Sequence, residues 1–98
     1  MIYRYFVPIN LIKMEVKTVE IYSTPTCGFC HILKKYLDDK GVTYVEYDLS
    51  VDTAKAQEMI DVSGQSGVPV TIINKGESDQ VVIVGFNKPR VDEVLGLS

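Results

Sequence analysis

The sequence predicts one α/β domain, a mixed four-stranded sheet flanked by helices in the order β-α-β-α-β-β-α. Three observations carry this. Alternating apolar runs mark four strands, and apolar residues at helical spacing mark three helices. The first two strands are separated by a helix and the last two by a turn, which demands a parallel crossover and then an antiparallel hairpin. A chain of 98 residues, 46% hydrophobic, has material for one core and not two.

Lys17 to Ser23 alternates, with Val19 and Ile21 on one face, and reads as the first strand. Thr24-Pro25-Thr26 breaks it, because proline cannot join a central ladder and threonine suits the start of a helix. From Cys27 to Lys40 the positions Cys30, Leu33, Tyr36 and Leu37 recur at helical spacing, and Gly41 stands where a left-handed stop belongs. Val42 to Leu49 is strand chemistry. Ser50 to Asp52 offers capping side chains for a second helix carrying Ala54, Ala56, Met59, Ile60 and Ser63, which ends at Gly64. Val68 to Ile73 is apolar almost throughout and predicts a strand buried on both faces. Asn74 to Asp79 is a turn into a last strand over Gln80 to Val84. Gly85-Phe86 ends that pattern, and Asn87 caps a final helix with Val91, Val94 and Leu95.

The folded domain is expected over residues 16–98. Residues 1–15 read as an extension, an arm or a segment ahead of an alternative start at Met14. Met1 to Leu11 is aromatic and apolar, but Pro8 interrupts the run and no small-residue cleavage site follows, unlike a secretory signal. With 10 basic and 13 acidic side chains, a formal charge of -3 provides no basic face for nucleic acid. No apolar stretch approaches the length of a membrane span. Two close cysteines would staple almost nothing, so the chain must rest on its core, as cytoplasmic proteins do.

Those cysteines carry the chemistry. Cys27-Gly28-Phe29-Cys30 sits where a strand hands over to a helix, and the exposed N–H groups of a helix start favour a negative charge at Cys27. The thiolate is the attacking species in disulfide exchange. Cys30 lies one turn later on the same face, within reach to attack a mixed disulfide at Cys27. Cys27 is thus expected to be the nucleophile and Cys30 the resolving thiol, a redox disulfide pair. A zinc site needs four soft ligands, and this chain has two cysteines and one histidine, so no metal site is expected. His31, about 100° round the helix, is expected to face solvent and favour the thiolate modestly.

Gly67-Val68-Pro69 is the second candidate region, because a proline heading a buried strand donates nothing to the ladder. A cis Val68–Pro69 bond would leave the Val68 backbone free to pair with an extended substrate, although local preference favours trans.

Three segments in order, Tyr22 to Cys30, Ser66 to Val70 and Val84 to Phe86, resemble the glutaredoxin-like redoxins of the thioredoxin superfamily, particularly the NrdH-type redoxins. The resemblance covers roughly Val16 to Leu97. It implies the thioredoxin fold and a dithiol oxidoreductase that reduces protein disulfides, with ribonucleotide reductase-like or peroxide-detoxifying targets. It implies a cis Pro69 facing the cysteine pair, and a substrate groove bordered by Thr26, Gly28, Phe29, Gly67, Val68, Pro69, Gly85 and Phe86.

Glutathione-using glutaredoxins carry a basic residue shortly before the first cysteine, and a Gly-Gly with acidic residues before the last helix. Here those regions are Ser23-Thr24-Pro25-Thr26 and Gly85-Phe86-Asn87-Lys88-Pro89. The second is closer to NrdH-type redoxins, which take electrons from thioredoxin reductase. Cys-Gly-Phe also begins the motif of iron–sulfur-binding monothiol glutaredoxins, which ends in serine where this chain has Cys30. The expectation is therefore a cytoplasmic monomer that requires no cofactor and is reduced by a thioredoxin reductase-type enzyme or glutathione. The alternatives are a glutathione-dependent glutaredoxin or a [2Fe–2S] carrier through Cys27 and glutathione.

Overall fold

A computed structural model describes residues 17–97. The expected extension over 1–15 lies outside the described residues, as do Val16 and Ser98. The elements are β1 (Val19–Ser23), α1 (Gly28–Asp39), β2 (Val45–Asp48), α2 (Thr53–Ser63), β3 (Val70–Ile73), β4 (Val81–Val84) and α3 (Lys88–Leu95). The sheet order is β2-β1-β3-β4. β1 runs parallel to β2 and antiparallel to β3, and β3 pairs antiparallel with β4. The predicted element order and mixed sheet are both present.

Strand pleat divides the core into two faces. Val19 and Ile21 of β1 join Leu33 and Leu37 of α1, Ile73, Ile83 and Val91 of α3 on one face. On the other, Tyr22 joins Val70, Ile72 and Met59 of α2. All four residues of β3 are buried, Thr71 included, as its almost continuous apolar run predicted. Asp52 caps α2 by accepting from Lys55 N at 3.0 Å, and Asn87 caps α3 by accepting from Arg90 N at 3.1 Å.

The four strands are shorter than the sequence patterns, and β3 starts at Val70 rather than Val68. β1 starts at Val19, because Thr18 N instead donates to Asn74 Oδ1 at 3.1 Å. β2 starts at Val45 rather than Val42, whose N–H closes the end of α1 by donating to Leu37 O at 2.9 Å. β4 starts after Gln80, whose N–H is held in the turn by Glu77 O at 3.1 Å.

This topology positions the site. β1 and β3 are the central strands and antiparallel, with Tyr22 opposite Val70, so the end of β1 lies beside the start of β3. The loop into α1 and the segment before β3 therefore meet at one end of the sheet.

Candidate active site

The loop after β1 turns tightly, with Cys27 N donating to Thr24 O at 3.2 Å, and α1 begins at once. The helix cap is Cys27 and not Thr26. Cys27 has extended backbone geometry, and its Sγ accepts from Cys30 N at 3.1 Å. A sulfur thus stands where an oxygen side chain normally satisfies an orphan N–H of the first turn. The same sulfur lies 3.8 Å from Val68 O, close enough for its S–H to donate weakly to that carbonyl.

The two cysteines are free thiols in contrasting surroundings. Cys27 is half-buried, whereas Cys30 is completely buried. Burial, followed by the hydrogen bond with Cys27, pushes the Cys30 thiol up to about 11; the Thr24 backbone and the Lys34 charge act in the opposite direction. A thiol so placed is held in its protonated form at neutral pH.

The predicted groove residues gather around this pair unevenly. Thr26, Gly28 and Phe29 are exposed beside Cys27, Phe29 with 65% of its surface free. An added Cβ at Gly28 would meet nothing within 4 Å, so glycine there leaves the surface beside the sulfur open rather than relieving a clash. The Val68–Pro69 bond is cis, as the family resemblance implies and against local preference. Pro69 is buried, and its carbonyl accepts from Gly85 N at 2.8 Å, which brings Gly85 to the site. Gly85 has φ +78°, a conformation that favours glycine and turns the chain away at the end of β4. Phe86 sends its ring against Tyr36 (centroids 5.8 Å apart) and packs on the α1/α3 core.

One participant was not evident from the sequence. The Gln65 side chain grips the backbone of Gly67 on both sides, its Oε1 accepting from Gly67 N at 2.7 Å and its Nε2 donating to Gly67 O at 3.1 Å. That brace holds the loop leading to Val68. A side-chain amide next to a Ser-Gly pair is the only signal of it in the sequence. His31 is exposed, as expected, but its Nε2 lies 2.8 Å from Pro25 O. A carbonyl only accepts, so Nε2 carries the proton and ties α1 to the preceding loop.

Residues 19–77 match the family model described as glutaredoxin. A glutaredoxin-like 8.6 kDa protein encoded in a rubredoxin operon of Clostridium pasteurianum is 42% identical over 77 residues, covering 79% of this chain and 96% of that protein. Glutaredoxin 3 of Escherichia coli K12 is 43% identical over 56 residues, covering 57% of this chain and 68% of the relative. The structure of the NrdH-redoxin of Escherichia coli superposes with a TM-score of 0.62 at 21% identity, covering 78% of this chain and 92% of that one, and so shares the fold.

Proposed function

The chain belongs to the glutaredoxin family of thiol–disulfide oxidoreductases, and on that premise we propose that it reduces protein disulfides through Cys27 and Cys30. The observation that carries this reading is the asymmetry of the pair. Cys27 is reachable and takes a helix N–H on its sulfur, while Cys30 is sealed behind it at zero exposure. Donation to Cys27 Sγ stabilises charge there, and charge-assisted hydrogen bonds are stronger than neutral ones.

Cys27 as a thiolate attacks one sulfur of a partner disulfide. The partner S–S bond breaks, a Cys27–partner bond forms, and the first partner sulfur leaves as a thiolate that takes a proton from water. Cys30 loses its proton to water and attacks Cys27 Sγ; the Cys27–partner bond breaks, the second partner sulfur leaves as a thiolate that is protonated in turn, and a Cys27–Cys30 disulfide remains. Two electrons have passed to the partner. A thioredoxin reductase-type enzyme or glutathione returns them. The open surface at Thr26, Gly28 and Phe29 and the backbone of Gly67–Val68, with Pro69, Gly85 and Phe86, form the proposed substrate border. An extended strand pairing with Val68 would set the partner sulfur beside Cys27. Ribonucleotide reductase-like or peroxide-detoxifying disulfides fit such a donor, acting as a cytoplasmic monomer.

Trapping tests the assignment. Cys30→Ser should accumulate mixed disulfides with partner proteins on non-reducing gels, and Cys27→Ser should accumulate none. Equal trapping by both variants would dissolve it. Supplying electrons from thioredoxin reductase, or from glutathione with glutathione reductase, separates the two reductants by which one sustains turnover.

A further inference from the structure

Between the end of α2 and the start of β3 the chain runs from Gly64 to Pro69. Gly64 leaves the helix in the left-handed conformation, and Pro69 O accepts from Gly85 N. Between these two anchors, no backbone-to-backbone hydrogen bond reaches residues 65–68 among the described residues. The segment beside the reactive sulfur is fixed instead by one side chain. Gln65 Oε1 accepts from Gly67 N at 2.7 Å, while its Nε2 donates to Gly67 O at 3.1 Å and to Ser63 Oγ at 3.3 Å. Ser63 Oγ in turn donates to Met59 O at 2.7 Å, which roots the amide in α2. Both polar groups of Gly67 are thereby occupied from within the chain, as a strand partner would occupy them. Val68 differs: its carbonyl lies 3.8 Å from Cys27 Sγ, and its N–H has no backbone partner among the described residues.

We propose that Gln65 is a positioning residue that makes the site select cysteines in extended peptide segments over small disulfides, by fixing Gly67 so that Val68 alone presents its backbone beside Cys27. This rests on the reading of Val68 as the pairing edge for a partner strand. An unbraced glycine has the most backbone freedom to lose, and ordering it at each encounter would oppose binding. With the amide in place, that ordering is complete before a partner arrives. A small disulfide has no strand to pair and meets only the sulfur and its exposed surroundings. Gly67 belongs to the same device, because a Cβ there would stand 2.9 Å from Gln65 Oε1. The amide is the end of a flexible side chain, so an added methyl displaces the brace rather than the main chain.

The test uses the full chain with Cys30→Ser, in which the reaction stops at the mixed disulfide on Cys27. Two probes share one reacting bond. The first is a short extended peptide whose cysteine is joined to thionitrobenzoate, and the second is free cysteine joined to the same group. In each, the Cys27 thiolate attacks the cysteine sulfur, the probe S–S bond breaks, a Cys27–probe disulfide forms, and the thionitrobenzoate anion leaves and is read by its absorbance. Gln65→Ala should raise the peptide concentration for half-maximal rate about threefold to tenfold, the order of one hydrogen-bonded contact. The limiting rate, and the rate constant with the cysteine probe, should stay near the parent values. Gln65→Glu should match it at neutral pH, because a carboxylate accepts from Gly67 N but cannot donate to Gly67 O. Gly67→Ala should weaken peptide binding to the same degree, and combining it with Gln65→Ala should add nothing, since both remove one brace. An unchanged ratio between the probes in Gln65→Ala, or an equal slowing of both, overturns the proposal. A parent that does not favour the peptide, or that ignores N-methylation of the peptide beside its cysteine, shows instead that pairing at Val68 fails, and the proposal falls with it.

Discussion

The two faces of the sheet hold their helices by different means. On the α1/α3 face, seven buried side chains from five elements interlock, and Tyr36, Phe86, Val94 and Leu95 extend the packing. On the α2 face the buried cluster has four members, and Met59 is the only one from the helix. Aromatic and polar contacts supplement it: the Tyr22 and Tyr47 rings meet at a tilt of 49° with centroids 5.1 Å apart, Lys55 lies over the Tyr47 ring at 4.2 Å, and Tyr47 Oη donates to Glu20 at 2.8 Å. The cysteines ride on the helix clamped by the thicker core. The Gly67–Pro69 segment follows the helix of the thinner one and is braced by the Gln65 amide. One wall of the proposed site is therefore set by apolar packing and the other by hydrogen bonds, which suits the proposed role of a fixed reactive sulfur facing a partner-binding surface.

The largest effect should come from emptying each face in turn. Leu37→Ala removes a fully buried side chain at the middle of the thicker core. It should cost about 3–5 kcal/mol in denaturant unfolding, and Met59→Ala nearer 2, within the range for large-to-small core changes. A Met59→Ala loss equal to or larger than that of Leu37→Ala would break the comparison.

A smaller effect tests the polar character of the α2 face. Tyr22 is fully buried, and its hydroxyl has no hydrogen-bond partner among the described residues. Tyr22→Phe should leave stability unchanged or raise it by up to about 1 kcal/mol, since a buried unsatisfied group is removed. Burial first, then the Glu20 charge, push the Tyr22 phenol from 10.0 to about 12. A raised folded-state value means that the stability is intact below 10.0 and declines toward 12, as the unfolded chain ionises first. Tyr22→Phe should flatten that alkaline decline, measured as urea midpoint against pH. A marked loss of stability at neutral pH would show that the hydroxyl has a partner.

The smallest effect belongs to the ion pair at the edge of the thicker face. The Glu46 carboxyl is depressed by Lys34 and then by Ser23. Its contribution is present above the ordinary value of 4.5 and is lost as pH falls through the depressed one. Lys34→Met should shallow this acid limb only slightly, because the carboxylate is about a third exposed and screened by solvent. A steep change in the acid limb would mean that the pair carries more of the fold than its exposure allows.

Much of this architecture was legible in the chain because it depends on neighbours in sequence. Asp52 and Asn87 cap their helices through bonds three residues long. Gly64 ends α2 in the left-handed conformation that its position between a helical pattern and a loop predicts. The apolar run of β3 is buried throughout, and the spacing of Cys27 and Cys30 places them one turn apart at a helix start. Each of these is a local preference reinforced by burial.

Partners distant in sequence were decided only by the tertiary structure. Local preference at Val68–Pro69 points to trans and the folded chain has cis. Which residue caps α1 was settled by the turn from Thr24, which set Cys27 Sγ rather than the Thr26 hydroxyl under the Cys30 N–H. Val42 reads as strand and was drawn instead to the last turn of α1. Val68 O reaches Cys27 across 41 residues, and Ser23, Lys34 and Glu46 meet from three elements. The sequence alone determined which segments are strands and helices and which two sulfurs share a helix turn, because period and capping act over a few residues. The surroundings of those sulfurs, one reachable beside Val68 and one fully buried, came from tertiary packing, since the pairing of β1 with β3 brings the Val68 segment to the loop after β1.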